Sequence, residues 1–167
     1  MNRPFSLIAL AMFLVSCDSE SAVPNVSGTY SLNLKVTKLD CAMLPAAVGD
    51  ESTGVQVVVT QDATDKKKLT AVVQGAAGVL LTLGLGSASF AGTVSGNTFD
   101  VLLEGRAKTE GTCAYSQNAR LRATLDKDFL SGTLSYSYAT NKGSDCGTKD
   151  TCVDEQSVTG ARAATTH

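Results

Sequence analysis

Ala119-Arg120-Leu121-Arg122-Ala123-Thr124-Leu125-Asp126-Lys127-Asp128-Phe129-Leu130-Ser131-Gly132-Thr133-Leu134-Ser135-Tyr136 decides the fold. Apolar and polar residues alternate on both sides of Lys127-Asp128. A period of two belongs to a half-buried β-strand, whereas a helix buries every third or fourth residue. With Lys127-Asp128 as a tight turn, Leu125 faces Leu130, Ala123 faces Gly132, Leu121 faces Leu134 and Ala119 faces Tyr136. Large side chains then oppose small ones on one face, and no apolar residue is forced to the other.

The same alternation recurs outward from this hairpin. Tyr30, Leu32, Leu34 and Val36 form one row, Val55, Val57 and Val59 a second, and Leu69, Ala71 and Val73 a third. Phe90, Gly92 and Val94 lead into Gly96-Asn97, a two-residue turn suited to a hairpin, and Phe99, Val101 and Leu103 follow it. Val158 and Gly160 mark a weaker last strand. The pattern predicts about eight strands, over 28–38, 54–61, 67–74, 88–95, 97–104, 113–125, 129–139 and 154–163. A Gly-Thr-x-Ser echo at Gly28, Gly92 and Gly132 is unequally spaced and reads as recurrent strand chemistry. Residues 75–87, with Val79-Leu80-Leu81-Thr82-Leu83-Gly84-Leu85, are apolar without clear period. They suit a lid, a short helix across an open end or an extra strand, and most simply a core plug.

The expected fold class is all-β, an antiparallel up-and-down barrel. The connections alternate in length: 62–66, 96–97 and 126–128 are tight, whereas 39–53, 75–87, 105–112 and 140–153 are long. In a meander that alternation places the tight turns at one end and the long loops at the other. The architecture resembles lipocalin-type and other small barrels, although the chain has no Trp and no lipocalin signature. A membrane-spanning barrel shares the alternation, but aromatic residues are only 5% of the chain, too few for two aromatic girdles.

Leu14-Val15-Ser16-Cys17 closes an apolar run, Phe5–Val15, that follows the basic residue Arg3. The run is too short to span a bilayer, which needs about 20 residues. This stretch resembles the lipobox of bacterial lipoproteins. The resemblance implies a signal helix over 1–16, removed before Cys17. Cys17 would carry a diacylglyceryl thioether and an acylated amine such as palmitate provides. Residues 17–27 would then be a lipidated tether and 28–167 the barrel domain. It further implies a cell-envelope protein anchored to the inner or outer membrane, with its domain in the periplasm or at the cell surface. Asn25-Val26-Ser27 matches a glycosylation sequon that such a protein does not use.

Composition narrows the partners. The 167 residues include 14 basic and 16 acidic ones, and no basic stripe stands out. Lys66-Lys67-Lys68 sits in an expected turn, so no nucleic-acid partner is expected. Of the 5 Cys, Cys17 leaves Cys41, Cys113, Cys146 and Cys152. An even number in an exported domain reads as disulfides. A metal site competes poorly, because no Cys-x-x-Cys pair exists and the only His is His167. Strand parity brings all four Cys to the long-loop end. From it we expect Cys41–Cys113 as a brace across the rim and Cys146–Cys152 as a local clasp.

Catalytic signals are missing. His167 lies at the chain's end, no nucleophile elbow or phosphate loop occurs, and Glu104, Glu110 and Glu155 have no evident partner. Asp145, Asp150, Asp154 and Glu155 cluster around Cys146 and Cys152. They could offer oxygen ligands to Ca²⁺, but the spacing fits no EF-hand loop and solvated acids are the expectation. The chain therefore reads as a non-enzyme without cofactor or metal. Its expected role is that of a membrane-anchored structural or interaction module working through its loop rim, toward a protein partner. The alternative is lipocalin-like binding of a small apolar ligand inside the barrel.

Overall fold

The computed structural model describes residues 23–164. The signal segment expected over 1–16, Cys17 and His167 lie outside the described residues. In order, the elements are β1 (Gly28–Leu39), β2 (Glu51–Gln61), β3 (Lys68–Val73), α1 (Gly75–Leu85), β4 (Ser89–Ser95), β5 (Thr98–Leu103), β6 (Ala107–Glu110), β7 (Cys113–Asp126), β8 (Phe129–Thr140) and β9 (Val153–Arg162). A 3₁₀ segment, Ser144–Asp150, separates β8 from β9. Each strand pairs antiparallel with its neighbours, β5 pairs with β7 and β9 pairs with β1, so eight strands close into a barrel.

Both expected hairpins hold their registers. Leu125 pairs with Leu130, Ala123 with Gly132, Leu121 with Leu134 and Ala119 with Tyr136. Val94 pairs with Phe99 and Gly92 with Val101. Two inward glycines let these strands approach closely. A Cβ on Gly132 would stand 2.5 Å from the Ala123 Cα, and one on Gly92 would stand 2.1 Å from the Asp100 carbonyl oxygen.

One connection differs from expectation. The long loop expected over 105–112 contains β6, a ninth strand lying on β7 beyond the end of β5. β5 occupies β7 along Ala119–Thr124 and β6 along Cys113–Ser116, so both run on the same edge in the same direction. Ala107-Lys108-Thr109-Glu110 is exposed at every position and carries no apolar alternation, which is why the period-two signal misses it. Because β6 continues β5 without reversing, Cys113 stays at the long-loop end. α1 does not add a strand there either.

The interior is filled. Tyr30, Val94, Val101, Leu103, Ala119 and Val158 are almost fully buried, and the Tyr30 and Phe99 rings meet edge to face at 6.4 Å. A void of about 20 Å³ remains beside Tyr30, Leu32, Val57, Phe99, Leu121 and Leu130, room for roughly one water. Leu121 borders this void, inward as expected but only partly buried. Outside, midway along β7, Arg120 grips Asp100 with two 2.6 Å hydrogen bonds and Arg122 adds a third at 3.3 Å.

The chain enters through the short-turn end, and the tether expected over 17–27 is in part a component of the barrel. Val26 is fully buried and Val23 packs against the core. The Val26 backbone amide donates to Gln61 Oε1 at 2.7 Å, Gln61 Nε2 donates to the Pro24 carbonyl at 3.1 Å, and the Tyr30 hydroxyl donates to the Val26 carbonyl at 2.8 Å. A single apolar side chain among polar neighbours carries no strand period, so sequence reading leaves Val26 in a linker.

Leu103 is fully buried, whereas Arg122 is exposed. Leu103→Ala should therefore lower stability by about 2–5 kcal/mol, and Arg122→Ala by no more than about 0.5 kcal/mol. Urea unfolding followed by circular dichroism measures both, and equal losses would contradict the face assignment.

Candidate functional site

The long-loop end is where the structure concentrates its non-repetitive features. The loop after β1 turns over the barrel mouth, with Met43 and Leu44 against the core. It is held by Asp154, a fully buried carboxylate that accepts the backbone N–H groups of Cys41 at 2.6 Å and Met43 at 2.7 Å. A buried carboxylate is tolerable only with such donors, and here its donors are the loop itself.

All four expected disulfide cysteines are bonded and all lie at this end, but the expected partners are wrong. The bridges are Cys41–Cys152 and Cys113–Cys146, not Cys41–Cys113 and Cys146–Cys152. The physical reason is ring closure. β1 pairs with β9, with Leu39 opposite Asp154, so the next positions outward on that ladder bring Cys41 beside Cys152. Cys113 opens β7 and Cys146 lies in the 3₁₀ segment after β8, which folds back over the β7–β8 ladder. A meander read strand by strand ignores the closing seam. Cys41–Cys152 spans 111 residues and is worth about 4–5 kcal/mol in the chain-entropy view, Cys113–Cys146 spans 33 and is worth about 3–4 kcal/mol.

A second small core forms around the latter bridge. Cys113, Tyr115 and Cys146 are buried together, and the Tyr115 and Tyr138 rings meet edge to face at 5.4 Å. Glu110, which shows no partner in the sequence, accepts the Tyr115 hydroxyl and the Lys149 ammonium, the latter at 3.0 Å. Lys149 also stands 5.2 Å from the Tyr115 ring centre. Asp145 accepts the Thr112 amide at 2.7 Å and its hydroxyl at 3.0 Å, while Asp150 accepts the Thr140 hydroxyl. The acids that clustered in sequence therefore separate. Asp145, Asp150 and Asp154 hold three different loops, and Glu155 lies opposite Lys38 on the β1–β9 ladder. Among the described residues no group of three His, Cys, Asp or Glu side chains converges for a metal ion.

α1 completes the rim. It fills the stretch of uncertain period with a short helix, not a buried plug. Leu81 and Leu85 pack on the core and Gly78 is buried, while Val79, Leu80 and Leu83 are exposed by 59%, 69% and 76%. The helix ends at Gly86 in the left-handed conformation, and the Arg106 amide donates to the Leu85 carbonyl at 3.0 Å, tying α1 to the start of β6. Sequence reading missed this exposed face because α1 is apolar on every side and so has no hydrophobic stripe to read.

Electrostatics at the rim centre on the Glu110–Tyr115 pair. The Tyr115 hydroxyl and then Lys149 hold the Glu110 carboxyl below the usual range, and Glu110, with burial second, pushes the Tyr115 phenol up to about 12. The signs are opposite. Glu110 stabilises the folded state above its ordinary value of 4.5, and this is lost as pH falls through its lowered value. Tyr115 stabilises it below its ordinary 10.0, and this is lost as pH rises through about 12. The clasp is at full strength between about pH 4.5 and 10. Glu110→Gln should lower the Tyr115 titration toward 10.0, read from its ring carbon in an NMR titration. A phenol that still titrates near 12 in that variant would assign the shift to burial. Comparison with family models, with curated proteins and with solved structures found no match for this chain.

Proposed function

We propose that this protein is a bacterial envelope lipoprotein, anchored by lipid on Cys17, whose barrel serves as a rigid stalk presenting the disulfide-braced rim to a protein partner. The observation that carries the reading is the exposed row Val79, Leu80 and Leu83 on α1, which Leu81 and Leu85 seat on the core and the Arg106–Leu85 hydrogen bond ties to the rim. Apolar side chains on a fixed surface contribute to binding without the entropy cost of ordering a loop.

The filled interior favours this reading over a ligand carrier. A void of about 20 Å³ is far below the roughly 300–1,000 Å³ of a small-molecule site. The short-turn end is closed as well, by Val26. The outer wall argues for attachment by an anchor and not by the strands. Arg120, Arg122 and Asp100 lie where a spanning barrel would need apolar side chains. Catalysis is no part of the proposal. The rim acids Glu110, Asp145 and Asp150 are each engaged in holding loops together.

Two experiments test the reading. Cys17→Ser should leave an uncleaved, non-acylated precursor, and radiolabelled palmitate entering that variant would rule out the anchor. A photo-crosslinking residue placed at Leu80 in intact cells should yield one discrete adduct that Leu83→Glu abolishes. Adducts from Arg122 on the wall but none from Leu80 would move the interaction away from the rim.

A further inference from the structure

We propose that the short-turn end of the barrel is a second membrane contact, a foot resting on the lipid surface beside the acyl anchor, with Phe129 at the headgroup boundary. This rests on the anchor reading of Cys17. The first observation is where the chain leaves the barrel. Val23 packs at the short-turn end, and the Pro24 carbonyl is bonded to Gln61, the last residue of β2. From Cys17 to Val23 the chain can reach at most about 22 Å. A strand as long as β1, with 12 residues and a barrel tilt, rises about 30 Å. The tether is shorter than the barrel, so the base stands next to the anchoring bilayer and the rim stands away from it.

The second observation is what this end displays. Phe129 opens β8 with its side chain outward and 55% exposed, and it is the one aromatic among the large apolar side chains left open in the described residues. It sits beside the departing chain. Asp128, its neighbour, accepts two hydrogen bonds from Arg162, at 2.9 and 2.7 Å, and Arg162 also donates to the Asn25 carbonyl at 2.9 Å. One guanidinium thus joins the Phe129 turn to the segment that emerges toward Cys17.

The third observation concerns charge. Lys127 and Lys66 are exposed on two of the three tight turns at this end, where ammonium groups can meet lipid phosphates while their stems lie along the headgroups. The acids nearby are largely occupied: Asp62 by the Thr64 hydroxyl and the Thr64 and Asp65 amides, Asp65 by Lys68 at 3.6 Å, and Asp128 by Arg162. Asp126 pairs across from Phe129 on the ladder and is exposed, with Lys127 next to it. Phe129, two residues from Lys127, pairs an apolar ring with a cationic side chain, as interfacial segments that lie on membranes do.

The chain has no Trp, so Phe129→Trp and Leu80→Trp each introduce a single fluorophore, one at the foot and one on α1. Both positions are exposed, so neither change disturbs the core. Each protein would be purified with its own N-terminus from the membrane and reconstituted into vesicles of phosphatidylethanolamine and phosphatidylglycerol containing a doxyl-labelled lipid. The expected result is blue-shifted emission and several-fold stronger quenching for F129W than for L80W. Stronger quenching of L80W would show that the rim meets the bilayer, and no quenching of either would show that the base is held clear of it. Both results overturn the foot. Mass spectrometry of the N-terminal peptide separates the two readings. Acylated Cys17 with unquenched F129W refutes the foot alone, whereas unmodified Cys17 refutes the anchor and the foot with it.

Discussion

The pairing of β1 with β9 is the constraint on which the rest depends. It joins the two ends of the domain, from Tyr30 opposite Arg162 to Leu39 opposite Asp154. Contacts so distant in sequence carry the largest loop-closure cost. Without them the sheet would have two long open edges, ready to pair with another chain. The seam is secured at both ends. At the rim, Cys41–Cys152 and the two backbone bonds to Asp154 hold it, and at the base Arg162 ties Asp128 to Asn25.

Closure also settles the interior. Tyr30, Phe90, Phe99 and Tyr136 all point inward, and a ring of eight strands is just wide enough for side chains of that size to fill. Gly92 and Gly132 let neighbouring strands approach until almost no space remains. A small barrel packed this way has little to offer in its middle. What distinguishes it lies at its ends, and the ends differ. The base has tight turns, a closing Val26 and the emerging chain, whereas the rim has long connections that need additional bonds to hold a shape.

Those additional bonds explain why a domain of this size carries two disulfides. The β6–β7 tip and the 3₁₀ segment stand above the ring and cannot share its core. They form their own around Cys113–Cys146 and the Tyr115–Tyr138 contact, with Glu110 and Lys149 closing it from outside. α1 takes the opposite course. It borrows the main core through Leu81 and Leu85 and leaves the rest of its apolar surface to solvent. The rim is thus rigid on one side through covalent bonds and apolar on the other through an incompletely buried helix.

By itself the sequence determined the eight strands of the barrel wall, their inward faces, the two tight hairpins and the end at which every barrel cysteine lies, but not β6. These follow from a period of two and from turn residues, which act between close neighbours and so can be read locally. Only the tertiary structure decided which cysteines bond, that Val26 belongs to the core, that Glu110 meets Tyr115 and Lys149, and which side of α1 stays open. Each of these depends on what the closing seam and the folded-back loops bring together. Cys41 and Cys152 are 111 residues apart, and no local pattern records that they become neighbours. α1 is apolar all round, so its own residues hold no mark of the face the barrel would cover.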